Sequence, residues 1–312
     1  MICCAPETPE ELVVQFFLSN KKVSNQLISA DNVKSAKSML TDGRVVVVVH
    51  GFLNHFSYES IWNQTKNGWI DRGANVIIVD WSRGNRLYFQ SMANVRVVGA
   101  LVGQLIKRMG VAERGTCAGF SLGSHICGEA GAWLRKKGQT LSECHGIDPA
   151  GPGFDGCGPD IRLDRSDCGL VTVIHSSQFT NILGFGTKYK SGHCDFWMND
   201  AFTQPMCGPN PTTAELVKGL LTFKSKEVTG GVEDFVGCSH SRAMKYYISQ
   251  LQRVCSFNGD PAICGRGEKC YPVPSLYREG RSPSMVMPPD DVCDRRQNED
   301  YRIQTTGKFP FC

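Results

Sequence analysis

Nothing in these 312 residues could cross a bilayer as a single helix. The longest unbroken aliphatic run is Val45 to Val49, against the roughly 20 apolar residues a spanning helix needs, so any membrane contact has to be peripheral. A strong charge of one sign is also missing. The formal net charge is +4 and the pI about 8.3, which would help at an anionic lipid surface but lacks the dense basic patch of a nucleic-acid binder. No pair of CxxC motifs is present, which excludes the usual zinc framework. No internal repeat, low-complexity tract or clear linker divides the chain, so residues 1–312 read as one domain. Residues 1–10 lack the apolar core of a secretory signal.

What is abundant is cysteine. Fifteen are present, eight of them after residue 190 in loop-like sequence. That usage points to an oxidising compartment, the alternative being the buried free thiols of a cytosolic enzyme. An odd count leaves at least one thiol free or paired outside the chain. Asn63-Gln64-Thr65 is a glycosylation sequon and fits secretion, whereas Asn210-Pro211-Thr212 is excluded by its proline. A secreted reading implies that the true beginning precedes Met1.

The first half alternates strand and helix signals. Val45–Val49 and Asn75–Asp80 are short β-branched runs of the kind buried on both sheet faces. Further strands are predicted at 116–120, 144–148 and 171–175. Helices are predicted over 61–72, 91–109, 122–136 and 241–253. Strands separated by helices imply crossover connections and a mainly parallel α/β sheet with helices on both faces. From Cys255 to Cys312 the sequence is rich in Cys, Pro, Gly and charge and reads as long, disulfide-stapled loops.

Gly119-Phe120-Ser121-Leu122-Gly123 matches G-x-S-x-G. The flanking glycines let neighbouring backbone approach a strained strand-to-helix turn that exposes the serine Oγ. Its placement between a predicted strand and helix gives the short motif its weight. A serine nucleophile needs a base, and the base a carboxylate that orients it. Asp148 ends the next strand signal, in Gly146-Ile147-Asp148-Pro149, where active-site groups gather but where a turn-forming Asp is also common. His175, His193 and His240 all follow in the chain order that such enzymes use. His240 precedes a helix in a loop bearing Cys238. An oxyanion hole needs two backbone N–H groups. Leu122, directly after the serine, and Phe52, in the loop after Val45–Val49, are the candidates.

Taken together, these segments resemble the pancreatic lipase family, which includes lipoprotein lipases and phospholipases A1. The resemblance is carried by Val48-Val49-His50-Gly51-Phe52, Val79-Asp80-Trp81, Asn94-Val95-Arg96, Gly119-Phe120-Ser121-Leu122-Gly123-Ser124-His125, Gly146-Ile147-Asp148-Pro149-Ala150-Gly151-Pro152, Gly192-His193-Cys194-Asp195-Phe196 and Cys238-Ser239-His240-Ser241-Arg242-Ala243. It implies an α/β-hydrolase fold and a secreted serine ester hydrolase that works at a lipid–water interface. Ser121, Asp148 and His240 would form the triad, and Phe52 and Leu122 the oxyanion hole. Phe120 stands where many members have His.

The resemblance also implies a lid between Cys207 and Cys238, whose stretch 214–223 places Leu216, Leu220 and Phe223 on one helical face. A second loop contains Leu183-Gly184-Phe185-Gly186. Both look full-length, which by analogy favours triacylglycerol over the phospholipid of a phospholipase A1. A non-catalytic lipid-binding or yolk-type protein is the remaining alternative, and all three triad positions are filled. No cofactor is implied for catalysis. A structural calcium is, with Asp164 and Asp167 giving carboxylates and Pro159 and Arg162 backbone carbonyls, the alternative being a solvated charged turn. Only 72 residues follow His240, from which the C-terminal β-sandwich of digestive members is expected to be absent and a colipase-type partner unexpected.

Overall fold

The computed structural model describes residues 5–29, 32–55, 61–178, 185–207, 237–265, 267–273, 284–285, 293 and 299–312. Its first elements are α1 (Pro9–Leu12), β1 (Gln15–Ser19), β2 (Gln26–Ile28), α2 (Val33–Ser38), β3 (Val45–Val49), α3 (Ile61–Asp71) and β4 (Asn75–Asp80). There follow α4 (Tyr88–Met109), β5 (Gly115–Phe120), α5 (Leu122–Arg135), β6 (Glu143–Ile147), β7 (Leu170–His175) and β8 (Cys194–Met198). The chain continues with α6 (Cys238–Leu251), β9 (Phe257–Asn258), β10 (Asp260–Gly265), β11 (Glu268–Pro272), β12 (Ser284–Met285) and β13 (Glu299–Ile303).

Among the described residues eleven strands make one sheet in the order β11-β10-β13-β8-β7-β6-β5-β3-β4-β1-β2. From β13 to β4 every pairing is parallel, and the outer pairings at both ends are antiparallel. This is the α/β-hydrolase architecture. β3 shows why a run of five valines suits its centre. Val45, Val47 and Val49 pack with Val98 and Val102 of α4 and Ile126 of α5, while Val46 and Val48 pack with Trp62 and Trp69 of α3 and Met244 of α6. Strand side chains alternate between faces, so a strand covered on both sides needs apolar residues at every position. The parallel alignment brings the C-terminal ends of β3, β5 and β6 together, with Val49 opposite Gly119 and Phe120 opposite Ile147.

Among the described residues six disulfides join Cys117–Cys127, Cys144–Cys168, Cys194–Cys293, Cys207–Cys238, Cys255–Cys312 and Cys264–Cys270. Three of them start from central strands, at Cys117, Cys144 and Cys194, so the free-thiol alternative is set aside. Cys157 is unpaired. Among the described residues no helix is long and apolar enough to cross a membrane.

Two expectations need correction. The tail after Cys255 is not loop alone: β10 and β13 extend the sheet, with β13 parallel to β8. Its strands are short and polar, and they form because an open sheet edge accepts them rather than because their own pattern demands it. His240 lies inside the first turn of α6, not in a loop before it, because the helix begins at Cys238. Most of the expected lid, including 214–223, and residues 179–184 of the second loop lie outside the described residues.

Candidate active site

Ser121 links β5 to α5 with φ 56° and ψ −120°. A non-glycine residue in that region is strained, and close packing has to hold it there. The packing is visible at its neighbours. A Cβ on Gly51 would come within 2.9 Å of Ser121 Cβ, so the loop after β3 lies directly against the serine. Ser124 Oγ donates to Gly119 O (2.7 Å) and Ser121 N–H to Ile147 O (3.0 Å), closing the turn from both sides.

Asp148 follows β6 with φ 44° and is fully buried. His240 Nδ1 lies 2.6 Å from Asp148 Oδ2. The other carboxylate oxygen accepts from Ser176 N–H (2.7 Å) and Ser177 N–H (3.3 Å), and Ser177 Oγ donates to Oδ2. Burial pushes the Asp148 carboxyl upward, but the hydrogen bond and charge of His240, then Ser177 and Ser176, hold it below the usual carboxylate range. An ionised acceptor facing Nδ1 keeps that nitrogen protonated and leaves Nε2 with its lone pair. The imidazole lies against the Phe120 ring, 4.6 Å between centroids, and Phe185 flanks it at 5.7 Å. Phe120, the departure from the family pattern, thus packs directly against the His240 ring. Among the described residues Ser121 Oγ and His240 make no direct hydrogen bond; such contacts tighten when substrate binds.

The other histidines serve elsewhere. His175 Nε2 pairs with Asp195 (2.7 Å) and its ring stacks on Trp197. His193 Nδ1 accepts from Val171 N–H (3.0 Å). His125 Nδ1 accepts from Leu163 N–H, so its Nε2–H donates to Ala150 O (2.8 Å) and ties α5 to the loop after Asp148.

The Gly51–Phe52 peptide has an orientation that sequence reasoning missed. Gly51 O accepts from Asn85 Nδ2 (2.8 Å) and lies 3.0 Å from His50 Nδ1. A carbonyl oxygen facing Nδ1 requires a proton on that nitrogen, so Nδ1–H donates to Gly51 O, while Nε2 on the other side faces Trp81 N–H (3.2 Å) and Asp80 Oδ1 (3.5 Å). In a planar trans peptide the C=O and the following N–H point in opposite directions. Pinning Gly51 O therefore fixes where Phe52 N–H points. Leu122 N–H opens α5, where a helix leaves its first N–H groups without helical acceptors. Phe52 meets Tyr88 edge-on (5.2 Å), and Tyr88 OH donates to Pro152 O (2.8 Å), making an apolar wall beside that loop.

The loop read as a calcium site is built around carboxylates. Asp164 N–H donates to Asp167 Oδ2 (2.9 Å) and Ser166 N–H to Asp164 Oδ1 (3.0 Å). Burial first, then the charges of Asp164 and Glu129, push the Asp167 carboxyl up to about 7. A hard cation relieves that kind of like-charge crowding. Among the described residues no three His, Cys, Asp or Glu side chains gather, so a cation would also need the backbone carbonyls of Pro159 and Arg162. Oxygen-only donors are the kind that a hard cation takes. Asn63 lies in the first turn of α3, with Thr65 buried beneath it.

The model of the family described as Lipase matches residues 2–311. The chain belongs to the lipase family. Within that family it is 34% identical to mouse (Mus musculus) pancreatic lipase-related protein 2, over 86% of this chain and 57% of the relative. It is 31% identical to human (Homo sapiens) pancreatic triacylglycerol lipase, over 86% of this chain and 59% of the relative. It is also 32% identical to the dog (Canis lupus familiaris) protein named inactive pancreatic lipase-related protein 1, over 86% and 58%. This lipase-family chain thus spans a little over half the length of the curated relatives it matches. Solved structures include an α/β-superfamily putative hydrolase from Xanthomonas campestris, at 12% identity and TM-score 0.37 over 67% of this chain and 99% of that one.

Proposed function

We propose that this chain is a secreted serine carboxylic-ester hydrolase acting on glycerolipids, with triacylglycerol as its main substrate. The observation that carries the reading is the buried 2.6 Å contact between Asp148 and His240 beside the strained Ser121 turn. Ser121 Oγ attacks the ester carbonyl while His240 Nε2 takes its proton. Phe52 and Leu122 N–H groups hold the oxyanion, each worth on the order of a hundred- to a thousand-fold in rate. Collapse expels the alcohol, which leaves with the proton from His240. Water, activated by the same imidazole, then attacks the acyl-enzyme and releases the fatty acid and free Ser121. Asp148 keeps Nδ1 protonated throughout. Six disulfides and the Asn63 sequon support an extracellular site of action.

A serine-directed organophosphate is expected to label Ser121 stoichiometrically and abolish hydrolysis of a p-nitrophenyl ester. Folded protein that takes no label would overturn the reading and point to a non-catalytic lipid-binding protein. For the substrate, acid release from emulsified triolein is expected to exceed that from phosphatidylcholine. The reverse ratio would make the chain a phospholipase A1.

The Asp164 and Asp167 carboxylates, with the carbonyls of Pro159 and Arg162, would hold a structural calcium that takes no part in the ester chemistry. Chelation is then expected to lower Tm, by about 2–4 °C per kcal/mol lost for a chain of this size or somewhat less. Turnover of a soluble ester at 25 °C should be unchanged. An unaltered melt after exhaustive chelation would count against the ion.

A further inference from the structure

The carboxylate of Asp148 has a neighbour that neither the motifs nor the triad reading assigns. Ser177 is 1% exposed, and its hydroxyl touches three partners at once. It donates to Asp148 Oδ2, accepts from Gly186 N–H at 3.1 Å, and sits 3.2 Å from His240 Nδ1. The hydrogens can be assigned without ambiguity. Nδ1 already carries a proton, which it gives to the ionised carboxylate, so the Ser177 proton has one anionic acceptor to turn to. Gly186 N–H occupies one lone pair of Oγ, and the remaining one faces Nδ1–H.

The backbone around the hydroxyl is held as well. His175, two residues upstream, turns the other way to Asp195. Gln178 Nε2 donates to Asp200 O (2.8 Å) and Glu268 O (3.1 Å). Ser177 N–H itself reaches Asp148 Oδ1. The hydroxyl is therefore placed by the fold and is not a rotor that happens to point inward.

We infer that Ser177 is a positioning residue for the Asp148–His240 couple, fixing the tilt of the carboxylate and, through it, the plane of the imidazole. The inference rests on the triad reading proposed above. Ser177 acts through Asp148 and touches no substrate. The positive end of its O–H dipole faces the Asp148 carboxylate and offsets part of the negative charge that the imidazole meets. That favours the state with an ionised carboxylate and neutral imidazole over the state with one more proton.

The test is the pH profile of kcat/KM for a soluble p-nitrophenyl ester. Ser177→Ala removes the dipole, so protonation of the couple becomes easier and the acid limb moves to higher pH, by roughly half a unit to one unit. At the plateau kcat is expected to fall about tenfold, the loss of one hydrogen bond to a charged group, with KM within about twofold. Thr172→Ala is the control for general loosening. It lies near the other end of β7, and its Oγ1 has no hydrogen-bond partner among the described residues. Its acid limb should stay at the wild-type pH. An acid limb unmoved in Ser177→Ala would overturn the inference, and so would equal shifts in both variants. Labelling of wild-type Ser121 separates the two readings. If the label fails, the triad is wrong; if it succeeds and the limb stays, only the role of Ser177 is wrong.

Discussion

Asp148→Asn is expected to lower kcat on a soluble ester by about 10⁴-fold at neutral pH, with little change in KM and a folded protein. The size follows from where the donors lie. Asp148 Oδ1 faces two backbone N–H groups, those of Ser176 and Ser177. These cannot rotate, so the amide oxygen of an asparagine takes that side. Its NH2 group must then face His240 Nδ1 and Ser177 Oγ, where Oδ2 stands now. A donor opposite Nδ1 turns that nitrogen into an acceptor and moves the ring proton to Nε2. The imidazole then presents an N–H to Ser121 and can no longer take its proton. Ser177 Oγ stays where the fold holds it and only its hydrogen reorients, so that Oγ accepts from the new amide and the fold survives. Circular dichroism and a thermal melt check the fold, and steady-state kinetics check the loss. A variant that keeps activity within about tenfold of wild type would mean that Asp148 does not set the tautomer.

Part of this site could be read without a structure because it depends on local chain geometry. A strand, a serine between two glycines and a helix must form a tight turn, and the residues at 119, 121 and 123 do so. The valines of β3 likewise announce a strand covered on both faces. Asp148 and His240 were placed by chain order and family pattern, with His175 and His193 left open by the residues themselves. Those two are engaged by other partners, Asp195 and Val171 N–H. The roles of Ser177 and Asn85 are of another kind. Each depends on contacts spanning about thirty positions, Ser177 to Asp148 and Asn85 to Gly51. No local spacing distinguishes such a serine or asparagine from any other. The same holds for the disulfide pairings and for β10 and β13, whose strand character comes from the sheet edge they join.

Gly123→Ala is expected to prevent accumulation of folded protein, although it adds a single methyl group to a helix. A Cβ at this position would overlap Val49 O and lie 2.8 Å from His50 O. Both neighbours are backbone, so no rotamer change relieves the overlap. The first turn of α5 would have to lift from the end of β3, and β5 would move with it. A Cβ on Gly119 would meet the Gly123 carbonyl and lie 2.6 Å from Ser124 N, so the two glycines lock one another. The cost is expected to exceed about 4 kcal/mol, the range reserved for core overpacking and strain. A typical domain has only about 5–15 kcal/mol to lose. Ordinary helix propensity predicts the opposite sign, since alanine is favoured over glycine by about 1 kcal/mol. Gly138→Ala sets the scale for comparison. Nothing lies within 4 Å of its Cβ, and only its φ of +74° opposes the change, a cost on the order of 1–2 kcal/mol. Soluble yield and thermal melts of the two variants make the measurement. If Gly123→Ala melts within a few degrees of wild type, the close contact between α5 and β3 is wrong. The placement of Ser121 against the Gly51–Phe52 peptide would then fail with it.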